Sequence, residues 1–335
     1  MEMIIENSMN KNRHFCTLFD SNYLLKGVVM LTSLVENCPS AHIFVLCMDA
    51  GTHQILSELK LPGVELLQLS EVEDADLLRV KPGRSIAEYC WTLSAALCWF
   101  VMQSRLNVRT LTYLDADLMF FSDVEPIFQE IGEASIAIIE HRFIPRLSHL
   151  EAYGRFNVEW VSFVRTEVGM ACLRKWRDQC IDWCFARLED GKLGDQKYLD
   201  DWPKTYASDV HIIQHIGAGV APWNFSNYQY FRTDKTLFVD DVKLIFYHFH
   251  QFQLLHGGKF YYMSDLYAGD SILPAMIYEA YAKRLEQTLT YVRQFHGDFS
   301  AGIRSSHKVQ LRRLVQRFVP SGIKGFIRKI GVHMW

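Results

Sequence analysis

Two aspartates one residue apart, Asp115 and Asp117, stand inside the otherwise apolar run Leu111-Thr112-Tyr113-Leu114-Asp115-Ala116-Asp117-Leu118-Met119-Phe120-Phe121. The Leu, Tyr and Phe flanks predict a buried central strand. Unpaired carboxylates are costly to take out of water, so a strand that buries two of them needs compensation. A divalent cation is the obvious compensator. Side chains at i and i+2 of a strand share a face, which predicts that Asp115 and Asp117 converge on one ion. Hard oxygen ligands suit Mg²⁺ or Mn²⁺, ions that usually serve substrate phosphates. The alternative is a strand end open to water with both carboxylates solvated, and the apolar residues on both sides argue against it.

The rest of the first half alternates strand and helix. His14 to Phe19 reads as a strand, Leu24 to Glu36 as a helix, Ile43 to Met48 as a strand, Gln54 to Leu59 as a short helix and Val64 to Leu69 as a strand. That rhythm predicts a parallel sheet with helices on its faces. After the polar loop Lys81-Pro82-Gly83-Arg84-Ser85 comes an apolar helix, Ile86 to Gln103, and then the acidic strand. A strand over Ala134 to Glu140, another over Val158 to Val164, a helix over Glu167 to Arg187 and a late strand over Ile245 to His250 complete the reading. In doubly wound sheets ligands bind beyond the carboxyl ends of strands, where Asp20 and the Asp115/Asp117 pair both fall. Neither G-x-G-x-x-G after the first strand nor G-x-x-x-x-G-K-S/T occurs, which removes the dinucleotide fingerprint and the P-loop.

Composition narrows the class further. With 335 residues and 49% hydrophobic content, the chain can bury one large α/β core or two small ones. A net charge of −3 gives no whole-chain case for nucleic acid, and none is expected as a partner. The cysteines form no CxxC pair, and several lie in apolar runs, which predicts reduced thiols and a cytoplasmic setting. Met1 to Asn12 has no signal-peptide pattern, and the apolar stretch Leu93 to Met102 is too short to span a bilayer, so a soluble or peripheral protein is expected.

The C-terminus differs from the body. No Asp or Glu follows Asp298, while Arg304, Lys308, Arg312, Arg313, Arg317, Lys324, Arg328 and Lys329 interleave with apolar residues up to Trp335. Such basic amphipathic segments lie in the headgroup region of anionic membranes, each basic residue adding about 1 kcal/mol near the surface. This predicts a body over 13–300, a basic amphipathic tail over 301–335, and a peripheral place at the inner face of the cell membrane. Packing of the tail on the protein's own acidic body is the competing expectation.

Asp20-Ser21-Asn22-Tyr23 after the first strand, Tyr113-Leu114-Asp115-Ala116-Asp117, Phe156-Asn157, Asp195-Gln196 and a His in a late strand occur in that order. This ordered set, over roughly Phe15 to Gln251, resembles a GT-A glycosyltransferase, closest to glycosyltransferase family 8 and its bacterial relatives that build surface polysaccharides; a D-x-D alone would be a weak signal. The resemblance implies a Rossmann-like mixed sheet flanked by helices. It also implies that Asp115 and Asp117 hold Mn²⁺ or Mg²⁺ on the diphosphate of a nucleotide-sugar, with His248 as third ligand and His250 as second choice. By the same resemblance Asp20, Asn22 and Tyr23 contact base and ribose, Asp195 and Asn157 reach the donor sugar, and Gln196 lies near the anomeric carbon. Asp195 as the cap of a helix N-terminus is the structural alternative, and the two roles can coexist.

The chain departs from the family in three places. Val158 and Glu159 follow Asn157 where the family has a small residue and Gly, so Glu159 either alters sugar choice or faces solvent. The family's G-x-x-K-P-W is missing, which leaves Lys259 of Gly257-Gly258-Lys259 as a candidate diphosphate contact. The family's Arg before the metal strand is also missing, which leaves Arg84 as a replacement cation or a solvated loop charge. His211 and His215 share a metal-like spacing, yet their Val and Ile neighbours predict a structural role. Trp223-Asn224 resembles a loop on the acceptor side, with a Pro/Gly turn around a buried Trp as the alternative, and Glu140-His141-Arg142 either ends a strand near an acceptor's position or is a solvated strand end.

These readings converge on a metal-dependent glycosyltransferase. It is expected to move a hexose from a UDP-sugar to a bacterial glycan or lipid-linked acceptor, with retention of configuration by resemblance alone. A sugar-1-phosphate nucleotidyltransferase needs a Gly-rich basic loop after its first strand, which Asp20-Ser21-Asn22-Tyr23 does not offer. A non-catalytic carbohydrate-binding or scaffold protein would not be expected to keep Asp115, Asp117, Asp195 and His248 together.

Overall fold

The computed structural model describes residues 12–268 and 274–305. Strands and helices alternate from the start: β1 (Arg13–Phe19), α1 (Leu24–Asn37), β2 (Ala41–Cys47), α2 (Ala50–Leu59) and β3 (Val64–Gln68). Two short helices, α3 (Leu69–Val72) and α4 (Ala75–Val80), lead into α5 (Ile86–Ser104). There follow β4 (Thr110–Leu114), β5 (Leu118–Phe120), α6 (Glu125–Ile131), β6 (Ile136–Glu140), β7 (Phe156–Val164), α7 (Glu167–Asp182), α8 (Trp202–Thr205) and β8 (Val210–Ile213). A seven-stranded sheet forms in the order β3-β2-β1-β4-β7-β6-β8. β1 runs parallel to β2 and β4, β6 runs parallel to β8, and β7 is antiparallel to both of its neighbours. The mixed α/β sheet implied by the resemblance is therefore present; the parallel pairing expected from the strand–helix rhythm holds from β3 to β4, and the antiparallel β7 breaks it.

Alternation along β1 shows how the sheet divides two cores. Phe15 and Phe19 pack with the apolar face of α1, while Cys16 and Leu18 pack on the other side with residues of α5 and α7. Helix α5 starts at a capping box in which Ser85 and Glu88 satisfy each other's backbone donors. All eight cysteines are free, and seven of them are buried.

After the sheet the chain builds a meander of β9 (Tyr230–Thr233), β10 (Thr236–Val239) and β11 (Val242–Lys243). β12 (Phe246–His248) then returns to pair antiparallel with β5, and β13 (Gln253–Leu255) and β14 (Lys259–Tyr261) form a hairpin. Helices α9 (Asp265–Ala268) and α10 (Ala275–Phe295) follow.

Three expectations need correction. The acidic run is not one strand: β4 stops at Leu114, a turn carries Asp115-Ala116-Asp117, and β5 leaves for a separate two-stranded ribbon. Two adjacent carboxylates are easier to accommodate on a turn than inside a ladder, since a turn lets one side open to solvent. The helix expected over Glu167 to Arg187 stops at Asp182, and side chains satisfy the carbonyls left free at its end. The Tyr198 hydroxyl donates to Gln179 at 3.2 Å and to Trp183 at 2.6 Å, and Arg84 donates to the Ile181 carbonyl. The late strand keeps only Phe246–His248.

No helix among the described residues is long and apolar enough to cross a membrane. The basic tail expected over 301–335 lies outside the described residues from 306 onward.

Candidate active site

Backbone pairing brings the site together. In the β5–β12 ribbon His248 stands opposite Leu118, the residue after Asp117, and the Phe249 amide donates to the Asp117 carbonyl at 2.9 Å. His248 Nε2 consequently lies 3.0 Å from Asp117 Oδ1 and 3.9 Å from Asp115 Oδ2. One ligand atom from each of Asp115, Asp117 and His248 falls within 4.8 Å of the others. Asp117 and His248 are buried, whereas the Asp115 side chain keeps 29% of its surface, so the group opens to solvent on the Asp115 side. Two carboxylates and an imidazole fit Mn²⁺, a borderline ion that accepts both oxygen and nitrogen.

The electrostatics show why a cation suits this place. Burial pushes Asp115 up to about 7; Asp117, Asp195 and Glu159 add to that push, and His248 opposes it. Burial also pushes Asp195 up to about 7, against a hydrogen bond from Ser94. Burial acts on Asp117 in the same sense, but His248 and Lys26 override it and hold its carboxyl well below the usual carboxylate range. Burial would lower His248; the Asp117 and Glu159 carboxylates on either side of the ring instead hold it well above its ordinary value. Four carboxylates thus crowd around one imidazole and one amine. A divalent cation held by Asp115, Asp117 and His248 would relieve that imbalance.

The predicted site residues fall into two groups. Asp20 Oδ1 accepts from the amides of Asn22 (3.0 Å) and Tyr23 (3.2 Å), so this acid shapes its own turn at the end of β1. Asn22 and Tyr23 are exposed at that turn, and the Tyr23 ring lies beneath the Lys26 amine at 4.6 Å. Asp195 is buried, and its carbonyl accepts from Trp176 Nε1 at 2.9 Å. No side-chain cap is made by Asp195 for the 3₁₀ turn Gln196–Asp201 that follows. Gln196 donates from Nε2 to the Tyr153 carbonyl at 3.0 Å. Asn157 Oδ1 accepts from the Glu159 amide at 2.9 Å. His250 sits 5.7 Å from His248, ring centre to ring centre, and outside the three-ligand group. Burial, then the neighbouring His248, lowers its pKa to about 3, so it stays neutral.

Two candidates are placed elsewhere. Arg84 donates to Thr92 Oγ1 and to the Ile181 carbonyl, which ties the start of α5 to the end of α7. Lys259 is exposed on the β13–β14 hairpin. Neither makes an ion pair with Asp115 or Asp117 among the described residues. His211 pairs with Glu130 at 2.8 Å and His215 Nδ1 accepts from the Gly217 amide at 3.1 Å, so both serve the structure. Trp223 stands edge-on to His248 at 5.2 Å and to His250 at 5.5 Å, forming a wall beside the two rings.

Sequence reasoning missed two neighbours. Lys26, on the first turn of α1, holds its amine 3.4 Å from Asp117 Oδ2. Its signal was a lysine set among Leu24, Leu25, Gly27 and Val28. Glu159 does not face solvent: it is fully buried, with Oε2 2.6 Å from His248 Nδ1. Its signal was a charge inside Val158-Glu159-Trp160-Val161.

No protein-family model matches the sequence. The chain is 33% identical over 310 residues to YfnD of Bacillus subtilis (strain 168), described as an uncharacterized protein, with 90% of this chain and 98% of YfnD covered. It is 28% identical over 296 residues to YfnF of the same organism, covering 85% of this chain and 96% of YfnF. Among solved structures, galactosyltransferase LgtC in complex with donor and acceptor sugar analogues superposes with a TM-score of 0.50 at 12% identity, over 81% of this chain and 95% of that one. The chain belongs to the family of YfnD, and its fold is the GT-A fold of glycosyltransferases.

Proposed function

We propose that this protein is a metal-dependent glycosyltransferase that moves a hexose from a nucleotide-sugar, in the first instance a UDP-sugar, to a bacterial glycan or lipid-linked acceptor. The observation that carries this reading is the convergence of Asp115, Asp117 and His248 within 4.8 Å, beside the Lys26 amine. Those three residues would hold Mn²⁺ or Mg²⁺, which neutralises the diphosphate as it leaves. Lys26 adds a fixed positive charge next to the same phosphates. The exposed turn of Asp20, Asn22 and Tyr23 offers hydrogen bonds and a ring for base and ribose. Asp195, kept partly protonated near neutral pH, and Asn157 face the donor hydroxyls, and Gln196 stands near the anomeric carbon.

The likeness to a galactosyltransferase described with donor and acceptor analogues supports a two-substrate reaction. Retention of configuration and kinship with family 8 rest on the ordered motifs. The basic segment over 301–335 is proposed as a peripheral anchor on anionic membrane, where a lipid-linked acceptor is met, which puts the enzyme at the inner face of the cell membrane.

The test is a donor screen. Purified protein is incubated with a panel of nucleotide-sugars, with Mn²⁺ and with EDTA, and free nucleoside diphosphate is measured. Slow release from one donor, dependent on the metal and lost in Asp115→Ala, is expected. No release from any common donor, together with no Mn²⁺-dependent binding of UDP, would favour a carbohydrate-binding role instead.

A further inference from the structure

Glu159 stands where nothing in the sugar chemistry asks for a carboxylate, yet it is completely buried. A buried carboxylate is costly unless a specific partner holds it. Here Oε2 lies 2.6 Å from His248 Nδ1, while the other ring nitrogen, Nε2, points at Asp117. Oε1 has no hydrogen-bond partner among the described residues. The ring is therefore gripped from behind, and only Nε2 is left for a ligand.

The backbone is built around this contact. The β6–β7 register slips between Ile138 and Ile139, so Val158-Glu159-Trp160 has no partner on the β6 side, while Trp160 stays paired with Leu114 of β4; such bulges often lie beside active sites. The Asn157 side chain fixes that slip by accepting the Glu159 amide at 2.9 Å. The Glu159 carbonyl in turn receives the Asp115 amide at 3.4 Å, so one residue braces two of the three ligands. Opposite the carboxylate lies Gly219 at φ +68°, where a Cβ would sit 2.8 Å from Oε1.

We propose that Glu159 is a positioning residue for the metal centre: it fixes His248 with the proton on Nδ1 and aims Nε2 at the ion shared with Asp115 and Asp117. Metal-bound histidines generally donate their second nitrogen to such a partner, and loss of the partner weakens metal binding by about 10–100-fold. The inference rests on the metal reading of the site, and the controls keep the two apart.

The experiment titrates Mn²⁺ alone by calorimetry into the full-length protein and into Glu159→Gln, Glu159→Ala and Asp117→Ala. Bound Mn²⁺ is also examined by electron spin-echo modulation for directly coupled nitrogen. Glu159→Ala is expected to bind Mn²⁺ about 10–100-fold more weakly and to lose the nitrogen coupling. Glu159→Gln, whose amide oxygen still accepts from Nδ1, should keep the coupling and weaken binding several-fold. A folded Glu159→Ala with affinity within two-fold of wild type and unchanged coupling overturns the proposal. If that variant does not fold, wild-type affinity in Glu159→Gln overturns it. If Asp117→Ala itself binds Mn²⁺ normally, the metal site fails and not merely the role of Glu159.

Discussion

Lys26 and His248 share one carboxylate: Asp117 faces the amine through Oδ2 at 3.4 Å and the imidazole through Oδ1 at 3.0 Å. Burial lowers the pKa of Lys26 and Asp117 opposes that loss, so the amine owes its charge to this contact. It stands on the first turn of the helix that follows the proposed nucleotide turn. A diphosphate at the metal would meet the amine as a second cation. Lys26→Met keeps the stem and removes the charge. With Mn²⁺ saturating, UDP should bind about ten-fold more weakly, the size of one charge-assisted hydrogen bond. Mn²⁺ alone should bind as tightly or more tightly, because a competing cation has gone. Calorimetry of both ligands checks the split, and equal weakening of the two would remove Lys26 from the phosphate site.

The two aspartates of the turn should behave oppositely in stability and alike in function. Burial, with Asp117, Asp195 and Glu159 behind it, disfavours the charge of Asp115 against the pull of His248, whereas Asp117 is held by two basic partners. Asp115→Asn is therefore expected to raise the melting temperature measured in EDTA. Asp117→Asn should lower stability by about 3–5 kcal/mol, since it strands buried basic groups. Both should abolish Mn²⁺-dependent UDP binding. Such a trade of stability for function is common where a site gathers like charges. Thermal melts in EDTA, beside calorimetry with Mn²⁺, read the two effects separately.

Much of this was legible in the chain because it is local. The strand–helix periodicity gave the first five elements, since alternating burial in β1 and a helical stripe in α1 are short-range patterns. The acid pair was visible for the same reason. What escaped depends on contacts between segments far apart in sequence. The break after Leu114 follows from β5 choosing β12 as its partner, and nothing near Asp115 announces that pairing. Arg84 read as a free loop cation, but it is consumed by the Ile181 carbonyl at the end of a helix whose position the local sequence cannot give. Glu159 read as a departure from a motif. Only the return of His248 shows what its charge is for.

His141 weakens the fold on the acid side. Burial holds its pKa down at about 4, with the positive field of His248 adding to the effect and the Arg155 carbonyl opposing it. Its ring stacks on Phe143 at 4.6 Å and meets Trp223 at 5.1 Å, and it makes no ion pair among the described residues. In the unfolded chain it titrates near 6.5. Between those values the unfolded state binds the proton and the native state does not, so the contribution of His141 to stability falls as pH falls from 6.5 towards 4. The full loss is about 3 kcal/mol. Urea unfolding in EDTA at pH 7.5 and pH 5 should show wild type losing stability relative to His141→Phe over this window, whatever the raised pKa values of Asp115, Asp195 and His248 add to both. An identical decline in both would assign the acid limb to other groups.

The membrane proposal can be tested without disturbing the donor pocket. Arg304 is stitched into the body: its amide donates to the Leu254 carbonyl at 2.9 Å, and its carbonyl accepts from His256 at 2.9 Å. Gly302, at φ +74°, passes so near the first turn that a Cβ would lie 2.1 Å from the Asn22 carbonyl. A cut before Arg304 would therefore disturb the turn that carries Asn22 and Tyr23 and confuse anchoring with catalysis. Truncation after Ser305 leaves these contacts whole and removes seven of the eight lysines and arginines that follow Asp298. At about 1 kcal/mol for each basic residue near an anionic surface, their loss should release the protein from phosphatidylserine vesicles while UDP binding with Mn²⁺ is retained. The wild-type protein should itself leave the vesicles as ionic strength rises, since the attraction is screened. If the truncated protein still sediments with the vesicles at low salt, the anchor lies in the body and the tail has another purpose.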